Sequence, residues 1–311
     1  MASATATRGG FARPAPERAG AGRWRRVASA LLLVAVVLVV WEGLKLLGGT
    51  PWRAPGAIPG SNSPVLWNPP FRWPFVNDLN LPHVWNIGLA FVQPWQRGAD
   101  RNVAQFLFDA ALFTWREAAL GFALGAAIGL LLATIFVHSR LLERAFVPYV
   151  VASQTVPIIA LAPMITYAFG GNTAAVVVIA TYLTFFPVTI AMIRGLRSLD
   201  PRALELTRSY AASRWQVYRK LRLPASLPYL FTALKIAATA SIVGAIIGEG
   251  PGGIADGLGR AIINYNQYYI TGPEKLWAAI IVSGLLGVAF YLVVRAVEIA
   301  VLRRRPGAAE G

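Results

Sequence analysis

The ionisable residues in or beside apolar runs are Glu42, Arg116, Glu117, Lys235, Glu249, Arg295 and Glu298. A charge deep in a bilayer is costly, so such groups are default candidates for proton relays or ion paths. Most of these sit within about two helical turns of the end of a run, where a long side chain can reach the interface. No series of carboxylates or histidines marks a mid-depth proton path. The two histidines, His83 and His138, lie far apart, and there is no cysteine. Thiolate chemistry, disulfides and a histidine metal site are therefore not expected. No G-x-x-x-x-G-K-[ST] phosphate loop occurs, so ATP is not bound by this chain in the usual way. The run Gly248-Glu249-Gly250-Pro251-Gly252-Gly253 has no strand before it and reads as a turn ending an apolar run. The expectation is a protein without catalytic residues, metal or cofactor.

The densest polar chemistry lies at residues 200–224, DPRALELTRSYAASRWQVYRKLRLP, between two long apolar runs. Asp200 is a good N-cap with Pro201 at the first helical position. Ser213 and Gln216 have the spacing of a capping box for a second short helix, which Leu223-Pro224 would end. Leu204, Tyr210, Trp215 and Val217 would project from the pair, among Glu205 and the basic residues Arg202, Arg208, Arg214, Arg219, Lys220 and Arg222. A folded, water-facing, basic element of this kind needs a partner or a surface.

The elements around it are membrane spans. Apolar residues make up 56% of the 311 and charged residues only 14%, with a mean hydropathy of +0.54. A span needs about 20 apolar residues at about 1.5 Å rise each. The sequence predicts an all-α membrane protein with six. The first is 27–47, after a disordered basic tail, 1–26. The others are about 115–137, 145–169, 173–193, 227–248 and 276–302, in a core of 104–302, followed by a tail, 303–311. Residues 48–103, rich in Trp and Pro, read as a surface-lying interfacial loop, because Trp favours the headgroup level. A turn at His138–Arg144 precedes the third span. Gly121, Gly125 and Gly129 repeat every four residues, which allows close helix contact.

With the N-terminus cytoplasmic, nineteen Arg and Lys fall on inside segments and six outside. This positive-inside excess orients the chain, with both termini and residues 200–224 in the cytoplasm. It also accounts for the net charge of +15 without a nucleic-acid partner.

The third span carries Ser153-Gln154-Thr155-Val156-Pro157 and Pro163. Pro157 frees backbone carbonyls that must face protein or water. Gln154, Pro157 and Pro163 are either lining a translocation path or part of a kinked packing helix.

Residues 200–224 resemble the cytoplasmic loop of bacterial ATP-binding-cassette (ABC) importer permeases, E-A-A, three residues, G, nine residues, I-x-L-P. Here the run is Glu205-Leu206-Thr207, three residues, Ala211, nine residues, Leu221-Arg222-Leu223-Pro224. The similarity covers about residues 105–302. The stretch S-Q-x-x-P-x-x-A-x-A-P resembles the sulfonate, nitrate and taurine branch, leaning to its pyrimidine-precursor or flavin transporters. The resemblance implies a type I permease fold in a bacterial inner membrane and a coupling role for Glu205, Tyr210, Ala211, Arg214, Trp215, Leu221, Leu223 and Pro224. It also implies two cytoplasmic ATPase subunits that bind the ATP, a second permease copy and an external solute-binding protein. The sequence departs from the pattern at Leu206, Thr207 and Ala211. An alanine for the family's glycine predicts either a turn outside the left-handed region or a less sharp bend. Rival readings are a secondary carrier or channel without an ATPase, and a scaffold holding acidic lipid through basic loops.

Overall fold

The computed structural model describes residues 21–54, 64–250 and 254–303. Of the tail expected to be disordered over 1–26, residues 1–20 lie outside the described residues and 21–26 are helical; the middle of the Gly-rich turn at 251–253 and the tail from 304 also lie outside. Two compact units are present: Met1–Arg53 with Pro64–Val84, and Ala54–Ser63 with Trp85–Gly311.

The first unit is built on α1 (Ala21–Leu47). Its apolar stretch from Val27 to Leu47 is long enough to cross a membrane. Strands β1 (Trp52–Arg53) and β2 (Val65–Trp67) pair antiparallel. Charged groups near the C-terminal end of α1 are all partnered. The Lys45 ammonium is 2.6 Å from Asp78 Oδ1 and donates to the Leu81 carbonyl at 2.8 Å. Glu42 accepts from the Val84 amide at 2.7 Å and lies 2.9 Å from His83 Nδ1.

Burial pushes the His83 imidazole below its ordinary value, against the hydrogen bond to Glu42, and Lys45 adds to the lowering. The folded state therefore takes up a proton less readily than the unfolded one, whose value is about 6.5. Above that pH the difference contributes nothing; below it, stability falls with pH. Exchange of the Val84 amide should accelerate, after correction for intrinsic rate, as pH drops from about 7.5 to about 5.5. In His83→Gln the acceleration should disappear.

The second unit takes in α2 (Val84–Ala90) from Trp85 onward, so the 48–103 segment is not purely loop. Val84–Ala90 has neither Pro nor a cap breaker inside it, and Ile87 and Ala90 are buried. Helix α3 (Val103–His138) starts from a capping box of Asn102 and Gln105. Only Ser139 separates it from α4 (Arg140–Ser153), so the turn expected at 138–144 is one residue long. Ser139 caps α4 by accepting from the Leu142 amide. The expected third span is two helices, α4 and α5 (Ile158–Ala168), bent by 96° at the break. Gly170 and Gly171, at φ 72° and 66°, turn the chain into α6 (Thr173–Arg197), capped by Asn172.

Then come α7 (Pro201–Ser209), α8 (Arg214–Val217), a π turn at Tyr218–Arg222 and α9 (Leu223–Glu249). Leu223-Pro224 does not end a helix: Arg214–Glu249 is one continuous helical run. A proline ring clashes with the carbonyl four residues back in an α-helix. The Leu223 amide bonds instead to Tyr218 O, five residues back, and this wider turn takes in Pro224. The chain ends with α10 (Leu258–Gln267) and α11 (Pro273–Leu302). Five described helices are long and apolar enough to cross a membrane, or six with the bent pair as one.

The core of this unit is α6 packed between α3 and α9. The glycine repeat of α3 lies along this contact. A Cβ on Gly121 would meet Ala180 Cβ at 2.4 Å, and one on Gly129 would meet Phe185 O at 2.7 Å. From the other side, a Cβ on Gly244 of α9 would meet Ala180 Cα at 2.8 Å. Such backbone-to-backbone approach maximises dispersion contact where no hydrophobic force drives helices together. Helix α11 is tied to α9 by Lys235, 2.8 Å from Glu298. Lys235 and Glu298 are thus a structural pair.

Candidate functional site

The water-facing element expected at 200–224 is folded. Asp200 Oδ1 accepts from the Arg202 amide, and Ser213 and Gln216 form the reciprocal capping box. Helix α7 ends in a Schellman motif: the Ala212 amide donates to Thr207 O at 3.1 Å, with Ala211 at φ 50°. Ala211 is the one non-glycine residue with positive φ among the described residues. Neither expected escape from a left-handed turn is used. The sharp bend is kept, and the alanine Cβ carries a steric cost of about 1 kcal/mol. Ala211→Gly should stabilise this turn by about 0.5–1 kcal/mol. Slower exchange of the Ala212 amide, without change elsewhere in the protein, is the measurement.

The face of the pair differs in part from expectation. Tyr210 and Trp215 project into solvent at 79% and 63% exposure, and Glu205, Ala211 and Arg214 are exposed. Leu204 instead turns inward and lines a cleft of about 740 Å³ with Arg140, Arg197 and Arg222. Leu206, two residues on and so on the opposite side of the helix, takes the outer position. Val217, Leu221, Leu223 and Pro224 are half-buried. Tyr218 is buried and its hydroxyl is 2.8 Å from Thr134 Oγ1, which anchors the second half of the element on α3. At the same end, Glu143 in the first turn of α4 pairs with Arg197 in the last turn of α6.

The break between α4 and α5 runs through Gln154, which ends α4, to Pro157, which caps α5. Tyr182 donates its hydroxyl proton to the Ser153 carbonyl freed there, and Thr155 Oγ1 donates to Ala152 O. Gln154 Nε2 is buried with no hydrogen-bond partner among the described residues. Pro157 and Pro163 are exposed, and so is Tyr167 at 91%. Thus α5 packs on α6 and α9 and leaves an open apolar face.

One pairing was not foreseen. Glu117 and Glu249 are 2% and 0% exposed and face each other across the α3–α9 contact. Glu249 Oε2 accepts from the Gly259 amide at 2.6 Å, so its carboxylate caps the N-terminus of α10. Beside it the Leu258 amide donates to Thr114 Oγ1 at 2.9 Å. Gly257, at φ 99°, is required there: a Cβ would lie 2.3 Å from the Glu249 carboxyl carbon. Glu117 approaches Glu249 and Thr173, but neither of its oxygens makes a hydrogen bond of normal geometry. The sequence does carry a signal for Glu117, which precedes Gly121 by four residues and shares the buried face of the glycine repeat. Among the described residues no group of three or more His, Cys, Asp or Glu could hold a metal ion.

A bent third span, a glycine-packed core and a capped helix pair between α6 and α9 define a transporter permease fold. It is shared with a chain of the MetNI methionine ABC transporter in an inward-facing form, at TM-score 0.51 and 21% identity over 64% of this chain and 95% of that one. It is shared too with an amino acid ABC transporter solved with histidines, at TM-score 0.52 and 18% identity over 65% and 95%. The chain belongs to the family of binding-protein-dependent transport system inner membrane components, which matches residues 125–303. The formylaminopyrimidine transport permease protein ThiX of Halalkalibacterium halodurans is 34% identical over 58% of this chain and 70% of its own. A probable ABC transporter permease of Haemophilus influenzae is 31% identical over 86% and 93%. The putative aliphatic sulfonates permease SsuC of Bacillus subtilis is 27% identical over 81% and 97%. This protein is therefore a multi-pass inner-membrane permease of the ABC importer type, in the sulfonate, nitrate, thiamine-precursor and flavin group, and not an enzyme.

Proposed function

We propose that this permease moves a small solute inward by alternating access, driven by two ATPase subunits that dock on residues 200–224. The observation that carries the reading is the exposure of Tyr210 and Trp215 at the turn between two capped helices, the second of them continuous with α9. Two exposed aromatic anchors on an element that also exposes Glu205 and Arg214 have the composition of an interface hot spot. An element joined to α9 without a loop passes a push from its partner directly into the core. ATP binds to the partner subunits in this reading. In this reading the element and both termini are cytoplasmic, which the excess of basic residues at this end supports.

The open face of α5 is assigned to a second copy of the chain, with Gln154, Pro157 and Pro163 on the path between the two. A solute-binding protein delivers the substrate on the opposite side. Similarity to a formylaminopyrimidine permease and, at 32% identity, to a riboflavin permease of Chloroflexus aurantiacus favours a pyrimidine-like or flavin-like heterocycle. The test is reconstitution with the cognate ATPase and binding protein. ATP hydrolysis should rise, and label should accumulate, when the binding protein is loaded with such a heterocycle. Uptake that proceeds at full rate without ATPase would replace this reading with a secondary carrier.

A further inference from the structure

Lengths along α1 raise a difficulty that the first unit resolves. Only fifteen residues separate Arg26 from Glu42, and Lys45 follows within a turn. Sixteen steps of helix rise about 24 Å, less than the roughly 30 Å hydrocarbon thickness of a bilayer. With the arginines at one surface, Glu42 and Lys45 cannot both clear the other. A charge held at that depth needs a partner.

Residues 71–84 supply the partners. The Phe71 amide donates to Leu47 O at the end of α1, and the Gly49 amide donates to Phe71 O. From there the chain runs back along the helix. Asp78 and Leu81 reach Lys45, His83 and Val84 reach Glu42, and the Trp41 indole donates to Pro82 O at 2.9 Å. Leu47 to Trp41 is six residues, so the segment descends about 9 Å along the span. Asp78 neutralises Lys45, and Glu42 is held by the Val84 amide and the His83 ring.

Its outer side is aromatic. Phe71, Trp73 and Phe75 alternate along the chain and stack in parallel, with centroids 6.0 and 6.1 Å apart. Trp73 lies over Gly48, where a Cβ would approach its ring to 2.4 Å. Phe71 and Phe75 are more than half exposed. Beside them, Leu46 and Leu47 at the end of α1, where the Phe71 amide is bound, are themselves about half exposed, and the apolar stretch of α1 leads on from there.

We propose that residues 71–84 form a collar sunk into the leaflet at the C-terminal end of α1, with Phe71, Trp73 and Phe75 at the acyl–headgroup boundary. The occupant of the aromatic face is lipid, because that face is continuous with a membrane span and lies at or below its end. Rings of this kind favour that depth. The collar lets a span with too short an apolar run cross the bilayer with its two terminal charges already paired. The inference rests on α1 crossing the membrane.

The chain lacks cysteine, so single cysteines can be introduced at Phe75→Cys, Phe71→Cys and, within α1, Leu33→Cys. Each full-length variant is labelled with an environment-sensitive fluorophore in lipid nanodiscs. Quenching is then compared for nitroxide near the headgroup, nitroxide deep in the acyl chain, and aqueous iodide. At both 71 and 75 the emission should be blue-shifted, and more than half of it should be lost to the shallow nitroxide and little to iodide. Iodide quenching at both sites would overturn the collar, as would protection that arises only on adding the solute-binding protein. Position 33 separates the two possible failures: deep-nitroxide quenching there shows that α1 spans the membrane even if the collar does not enter it.

Discussion

Glu205→Arg is expected to abolish ATP-driven uptake while leaving the permease inserted and folded. Glu205 is exposed on α7, within the same capped pair as Tyr210 and Trp215, and the surrounding element is basic. It is the one acidic side chain between Pro201 and Pro224, so its reversal leaves the helix pair without a negative site beyond the N-cap Asp200. The new arginine also adds like-charge repulsion at that point. Losing a buried, hydrogen-bonded charge at an interface costs about 2–5 kcal/mol, or some thirty- to several-thousand-fold in affinity. Folding is spared, because no hydrogen bond within the described chain uses the Glu205 carboxylate. Co-purification with the ATPase and uptake in proteoliposomes are the two readouts. A variant that keeps its ATPase and transports at the normal rate removes Glu205 from the docking surface.

Gly125→Ala should have the other large effect, this time on the fold. The added Cβ would fall 2.5 Å from Thr184 Cβ and 2.8 Å from the Thr181 carbonyl oxygen on α6. A carbonyl in a helix cannot step aside as a long side chain can, so α3 and α6 must separate along their whole contact. Overpacking of this kind costs about 1–3 kcal/mol, occasionally more. The same substitution at Gly284 of α11 meets nothing within 4 Å among the described residues. Thermal unfolding in detergent should therefore fall for Gly125→Ala and hold for Gly284→Ala. Equal behaviour of the two would mean that the α3–α6 approach does not limit stability.

Much of this architecture is local in origin, and so legible. A span is a length of apolar chain, and an N-cap is one side chain reaching one amide. Both are fixed within a few residues, which is why the caps of Asp200 and Ser213, the turn at Gly170-Gly171-Asn172 and the glycine repeat of α3 can be read before any contact is known. The family pattern around Glu205 is legible for the same reason, being a matter of spacing along one short segment.

Other features depend on what the chain meets. Proline at 224 signals a helix end in sequence, but a π turn anchored by Tyr218 on α3 absorbs it and makes α8 one body with α9. Ala211 is left-handed within the Schellman bond from the Ala212 amide to Thr207 O, although its residue type disfavours that region. Leu204 and Leu206 look equally apolar, and only the cleft beside α4 and α6 decides which turns inward. Glu117 meets Glu249, and Glu42 and Lys45 meet His83 and Asp78, across gaps in the chain that no local pattern spans. The sequence alone determined the membrane class, most of the helices and the segment suited to a partner. The tertiary structure decided which charges are paired, which faces stay open and how residues 214–224 join the core, because burial and pairing belong to residues that meet only after the helices pack.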